Sequence, residues 1–158
     1  MSNELKVGII VTNNKNEVLL LKEKGKKNTS FLWNIVKGSY GDAGQETIFE
    51  TAIRECQEEA GVKITVTGLL GCYISQQNNK IRTQITFIAK VDKGLPRLAS
   101  KKEQLLRNEN IEKLEWFTKE NIQKMQPKEF ITARTYQILQ DWIIGKSFPP
   151  DSVKQIKM

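Results

Sequence analysis

The chain contains no histidine. That excludes a Ser-His-Asp triad, a Cys-His nucleophile pair and an imidazole-ligated zinc site. Acid–base chemistry must then fall to carboxylates, lysine, tyrosine or a metal-bound water. Cysteine is almost as scarce. Cys56 and Cys72 are the only two, too few for a disulfide framework or a zinc knuckle, and they read as reduced thiols in a core or strand. Long hydrophobic runs are missing as well. Nothing approaches the roughly 18 apolar residues of a membrane helix, so no membrane partner is expected. The opening Met1-Ser2-Asn3-Glu4 lacks the basic-then-apolar order of a secretory leader, which makes a cytoplasmic location the expectation.

Positive charge is what the chain has in surplus. Lysine and arginine number 25 against 18 acidic residues, a net charge of +7. Such a balance favours phosphates, nucleotides or nucleic acid as partners. No aromatic–basic RNA-binding pattern accompanies it, so a small-molecule nucleotide is the stronger expectation and nucleic acid the weaker. At 158 residues the chain is the size of one domain. A monomer and a homodimer are equally compatible with it.

Apolar runs at Val7 to Val11 and Val18 to Leu21, separated by Asn13-Asn14-Lys15-Asn16, predict a hairpin. Phe31 to Val36 predicts a short strand, and Lys37 to Gln45, with Gly38, Gly41 and Gly44, a loop. Residues 46–60 predict a helix that starts near Glu46 or Thr47, stops at Gly61, and buries Phe49, Ala52, Ile53, Cys56 and Ala60. Two further strands are expected at Ile64 to Ile74 and Ile81 to Val91. Leu95 to Asn110 is polar without a clean period, Leu114 to Phe117 predicts a last strand, and residues 119–126 and 128–144 predict helices split by Pro127. Trp33, Trp116 and Trp142 read as core aromatics. This order of elements argues for an α/β chain of the α+β type, a central mixed sheet between helical layers. The expected boundaries are one domain over residues 1–145 and an extended tail over 146–158.

The chemistry concentrates in Arg54-Glu55-Cys56-Gln57-Glu58-Glu59-Ala60-Gly61-Val62. At about 100° per residue, with Cys56 at zero, Glu59, Glu55 and Glu58 fall at about −60°, −100° and −160°, along one flank of the apolar stripe. Three carboxylates so close repel one another. A hard divalent cation offsets this best, Mg²⁺ or, in its place, Mn²⁺. Arg54 can hold a neighbouring carboxylate by a two-pronged hydrogen bond, and the glycine-rich loop before the helix can bring backbone close to a phosphate or metal.

This segment resembles the Nudix box, which runs Gly, five residues, Glu, seven residues, then Arg-Glu-apolar-any-Glu-Glu-any-Gly-apolar. Arg54, Glu55, Cys56, Glu58, Glu59, Gly61 and Val62 match the second part, and Glu46 stands eight residues before Arg54. The opening glycine should be residue 40, which is Tyr40. A two-residue insertion that leaves Gly38 in the glycine's role accounts for this. Trp33-Asn34-Ile35-Val36-Lys37-Gly38 is similar to the family's approach to the box, with Val36 in place of proline.

The resemblance implies a Nudix-like α/β/α sandwich and a Mg²⁺-dependent hydrolase that cleaves a phosphoanhydride bond in a nucleoside diphosphate derivative. It implies Glu55, Glu58 and Glu59 as metal ligands, one of them doubling as general base, with Arg54 and Glu46 orienting them and the Gly38 carbonyl near the metal. Lys37, Tyr40, Glu46 and Glu109 are the candidate substrate contacts. Glu103 and Glu112 are the other acids from which a further ligand could come, and Arg82 and Lys101 are further candidates for phosphate. Competing readings are a non-catalytic nucleotide or ADP-ribose sensor, an RNA 5′-end hydrolase, and the family's isoprenoid diphosphate isomerase branch, against which the lack of histidine counts.

Overall fold

The computed structural model describes residues 1–156; the last two positions of the expected tail, 157 and 158, lie outside the described residues. Seven strands form one mixed sheet. They are β1 (Ser2–Thr12), β2 (Val18–Glu23), β3 (Leu32–Asn34), β4 (Val36–Ser39), β5 (Lys63–Gln77), β6 (Lys80–Lys93) and β7 (Ile111–Phe117). Four helices join them: α1 (Ile48–Ala60), α2 (Lys101–Leu106), α3 (Lys119–Gln123) and α4 (Ala133–Ile143). The expected mixed sheet between helical layers is what the chain forms.

Alternation along the strands decides the layers. Val7, Ile9 and Val11 of β1 and Leu19 and Leu21 of β2 face one core, which α1 closes with Ala52, Cys56 and Ala60. Ile10, Val18 and Leu20 face a second core on the other side, closed by Ile122 of α3 and Ile138, Leu139 and Trp142 of α4. With both faces covered, β1 and β2 read as almost unbroken apolar runs. Trp33 and Trp142 are buried, and Trp116 packs half-buried on the first core.

The predicted hairpin is correct in its turn and wrong in its extent. β1 and β2 pair only at Thr12↔Val18. Beyond that point β1 takes β6 as a parallel neighbour and β4 as an antiparallel one, while β2 pairs with β3 and β7. The sheet therefore forks, and the fork opens the cleft described below. The single strand expected at residues 31–36 is broken at Ile35, where the chain passes from β3, on one side of the fork, to β4, on the other. Lys37 to Ser39, expected in a loop, are strand. Residues 101–106, without a helical period, are a helix capped by the Ser100 side chain, which accepts from Glu103 N. The last predicted helix is shorter: residues 127–129 make a single tight turn, and α4 begins at Ala133 behind the Thr132 cap.

The tail packs against the domain. Phe148 exchanges backbone hydrogen bonds with Leu69 of β5, both at 2.8 Å. Val153 rests on the first core. Gln155 Oε1 accepts from the Ile48 amide at the start of α1, at 2.9 Å, and Gln155 Nε2 donates to the Tyr40 hydroxyl at 2.7 Å. The first amides of a helix have no partner inside it, so Gln155 supplies one from the far end of the chain. Gln155→Ala should cost about 1 kcal/mol by analogy with lost cap acceptors, read as a lower denaturant midpoint at unchanged slope.

Candidate active site

The site is built on α1. Thr47 caps its start by accepting from Glu50 N, and Gly61 ends it in a left-handed conformation at φ 65°, which glycine adopts without a Cβ penalty. The helix is rotated from the sequence expectation. Ile48, Thr51, Glu55 and Glu59 are buried with Ala52, Cys56 and Ala60, whereas Ile53 is exposed and Phe49 only half-buried. The buried face has turned towards the glutamates. Glu55 and Glu59 are each only 6% exposed, and Glu58, farthest round the helix, keeps its side chain 31% exposed.

Arg54 ties the acids together. Its Nη1 donates to Glu55 Oε1 at 2.9 Å and to Glu58 Oε2 at 3.2 Å, while Nε and Nη2 hold Glu46 at 3.0 and 2.7 Å. The Arg54 hydrogen bond keeps the Glu46 carboxyl below its ordinary range. Glu55 goes the other way: burial raises it to about 7, and Glu58 adds to the rise against the pull of Arg54. Burial raises Glu59 well above the usual carboxylate range, helped by the charges of Glu55, Glu23 and Glu109.

Three other elements complete the cleft. From β4, Gly38 lies so close to α1 that a Cβ there would overlap the Glu55 carboxyl group; only glycine leaves room for that carboxyl. Beside it, Lys37 is pushed down to about 8, mainly by burial. From the end of β2, Glu23 faces the cleft and accepts from Asn34 Nδ2 at 2.9 Å. After α2, Arg107 Nε donates to Glu109 Oε1 at 2.8 Å, and Arg107 Nη2 donates to the Glu58 carbonyl at 3.0 Å. The second oxygen, Glu109 Oε2, is buried without any hydrogen-bond partner.

The resulting cleft has a volume of about 740 Å³. Lys37, Gly38, Arg54, Glu55, Glu58, Glu59 and Glu109 line it together. Two other candidates do not. Glu46 acts on the cleft only through Arg54, and Tyr40 is packed on the first core with its hydroxyl engaged by Gln155. Of the remaining acids and bases considered, Glu103, Glu112, Lys101 and Arg82 also lie outside the lining. Lys6, Glu23, Lys24, Lys26 and Arg107 do line it, and the sequence reading missed them. They arrive from three places, β1, the end of β2 with the loop after it, and the segment after α2, and only tertiary folding brings these together.

Gly38→Ala should displace the Glu55 carboxyl. Overpacking of this kind costs roughly 1–3 kcal/mol, so the melting temperature should fall; an unchanged melting temperature would mean the close approach of β4 to α1 is not tight.

Known proteins share this fold. A NUDIX hydrolase from Nitrosomonas europaea superposes at a TM-score of 0.78 with 22% identity, covering 98% of each chain. The MutT protein from Methanosarcina mazei Go1 gives 0.68 and 19%, covering 88% of this chain and 91% of its own. The NUDIX domain of Shewanella oneidensis NrtR, solved with ADP ribose, gives 0.69 and 13%, covering 90% of this chain and 87% of its own. At such identities the likeness is one of fold. The NUDIX domain family itself is matched over residues 3–139, nearly the whole length, and this chain belongs to the NUDIX family of hydrolases.

Proposed function

We propose that the protein is a Mg²⁺-dependent hydrolase that cleaves the phosphoanhydride bond of a nucleoside diphosphate derivative. The observation that carries this reading is the set of carboxylates facing one cleft: Glu55 and Glu59, buried on α1, and half-buried Glu109 with a buried oxygen that no protein group satisfies. A buried carboxylate oxygen without a partner is costly. Hard oxygen donors suit Mg²⁺ or Mn²⁺. Among the described residues no three acids are gathered closely enough to hold an ion, and Arg54 engages Glu55 and Glu58. The donor set nevertheless fits a divalent cation. Glu55, Glu58 and Glu59 would hold it, with Glu109 and the Gly38 carbonyl at hand. When bound, such an ion supplies charge for the phosphoryl oxygens and acidifies a coordinated water.

The chain's own groups do the rest. Arg54, anchored by Glu46, fixes the rotamers of Glu55 and Glu58. Lys37, Lys6 and Arg107 line the cleft and offer donors to phosphate oxygens. A glutamate with a raised affinity for protons, such as Glu55, is suited to take the proton from an attacking water. A small nucleotide as ligand is supported by the neighbouring NrtR domain, whose structure contains ADP ribose. No helix of the described residues is long and apolar enough to cross a membrane.

The test is a panel of nucleoside triphosphates, ADP-ribose, nucleotide sugars and dinucleoside polyphosphates, assayed for phosphate and monophosphate release with Mg²⁺, with Mn²⁺ and with EDTA. Metal-dependent release from one class supports hydrolysis. Binding without release from any class would favour the sensor reading.

A further inference from the structure

The sheet face opposite α1 carries the second apolar core, and one corner of that face is basic. Strand alternation places Lys6 and Gly8 of β1, Lys37 and Ser39 of β4, and Arg82, Gln84 and Thr86 of β6 on this face. The register brings them side by side: Lys6 lies between Ser39 and Gln84, Gly8 between Lys37 and Thr86, and Glu4 beside Arg82. Arg134, in the first turn of α4, lies over them. Its Nε donates to Gln84 Oε1 at 3.1 Å and its Nη1 reaches Ser75 Oγ at 3.4 Å. Gln84 is 1% exposed and Thr86 fully buried, so this is a sunken polar patch rather than a solvated rim.

Its charge does not balance. Lys6 and Arg82 share the single carboxylate of Glu4 with Lys80, at 2.8 to 2.9 Å. Among the described residues, Lys37 and Arg134 have no ion pair, and Arg134 Nη2 is buried with no acceptor. Arg134 also stands at the start of a helix, where the backbone dipole already presents positive charge. What the corner lacks is acceptors: the oxygens of Glu4, Gln84 and Ser39 are already taken, and the free groups are ammonium and guanidinium donors. A neutral base or sugar would leave those donors unsatisfied; an anion with several oxygens would satisfy them. Lys6, Lys37 and Ser39 line the carboxylate cleft too, so the corner borders the cleft through these three residues, with Arg82 and Arg134 beyond its lining.

We infer that this corner, formed by Lys6, Lys37, Arg82 and Arg134, is a subsite for a phosphate monoester that the substrate carries apart from the diphosphate to be cut. The substrate class is then a nucleoside diphosphate derivative with an additional terminal phosphate. This substrate assignment rests on the hydrolase reading above; the anion site itself does not.

The test is metal-free. In EDTA the acids of the cleft repel anions, and inorganic phosphate is titrated into ¹⁵N-labelled protein. Saturable shifts are expected at Lys6, Lys37, Arg82, Gln84 and Arg134. NADPH, which has one more phosphate monoester than NADH, should bind about tenfold more tightly in the same titration, the scale of one lost charge-assisted hydrogen bond. Arg134→Gln should abolish that preference, and Arg134→Lys should keep most of it; should Arg134→Gln fail to fold, Lys6→Gln serves in its place. Shifts confined to Lys24 and Lys26 on the rim, no saturation, or equal affinity for the two dinucleotides would overturn the subsite. Failure of the hydrolase reading looks different: no metal-dependent product from the panel, with the phosphate titration still saturating.

Discussion

Glu59→Gln is expected to lower kcat by about a hundredfold or more while leaving the melting temperature unchanged or raised. The two effects have one cause. Glu59 is buried, and Glu55, Glu23 and Glu109 all raise its proton affinity. In the metal-free protein its carboxylate is a liability for folding, because neither solvent nor an opposite charge stabilises it. Glutamine keeps the shape and removes the charge. A residue kept at such a cost to the fold is kept for function, and losing a group that holds the metal or moves the proton costs 10²–10⁴-fold, to order of magnitude. Glu50→Gln, an exposed first-turn residue of the same helix, is the control and should leave kcat unchanged and lower the melting temperature only slightly, through the lost charge at the helix start. The measurement pairs initial rates at saturating Mg²⁺ with calorimetry. Near-normal turnover in both Glu59→Gln and Glu58→Gln would remove these side chains from the mechanism.

The helix that carries these acids was readable from spacing, and the resemblance to the Nudix box gave them their expected roles, while the surroundings were not legible. Glu55, Glu58 and Glu59 lie on one helix, where the angular arithmetic holds whatever the rest of the chain does, and Gly61 stops that helix as expected. The apolar stripe was placed slightly wrong because Ile53 looked like core. The structure turns Ile53 outward to bury two glutamates, a choice that hydrophobic patterning cannot anticipate. Gly38 was found through the glycine the box requires, but the reason for it, the Glu55 carboxyl against its Cα, is tertiary. Glu109 was one of three acids in a region without a period. Only the fold of α2 and the Arg107 contacts turn it into the cleft and leave Glu103 and Glu112 outside. The forked sheet was illegible for the same reason: Asn13 to Asn16 encode a turn, but nothing local says that β1 and β2 part company after one pair. Tyr40 and Gln155 meet across more than a hundred residues, beyond the reach of any local pattern.

The same buried acids set a second expectation, that the metal-free protein loses stability as the pH rises from about 5 to about 8 and that Mg²⁺ reverses the loss. Glu55 moves from 4.5 to about 7 on folding, chiefly through burial, and Glu59 and Glu109 are also raised. Between the unfolded and folded values the native state holds protons that the unfolded chain has released. The slope of unfolding free energy with pH is therefore negative across that window. Glu4, Glu46 and Asp141 are shifted the other way; their contribution is complete above the ordinary carboxylate range and is lost only as the pH falls through their lowered values. The two sets place the stability maximum near about pH 5. A divalent ion binds the ionised acids and competes with their protons. At about 100 times its Kd it adds about 2.7 kcal/mol, and it should do so at about pH 8 but hardly at about pH 5. Calorimetry across this range, in EDTA and in excess Mg²⁺, checks both halves. Metal-free stability that climbs with pH, or a Mg²⁺ effect of equal size at both ends, would show that these carboxyl groups are not the ones that exchange protons for metal.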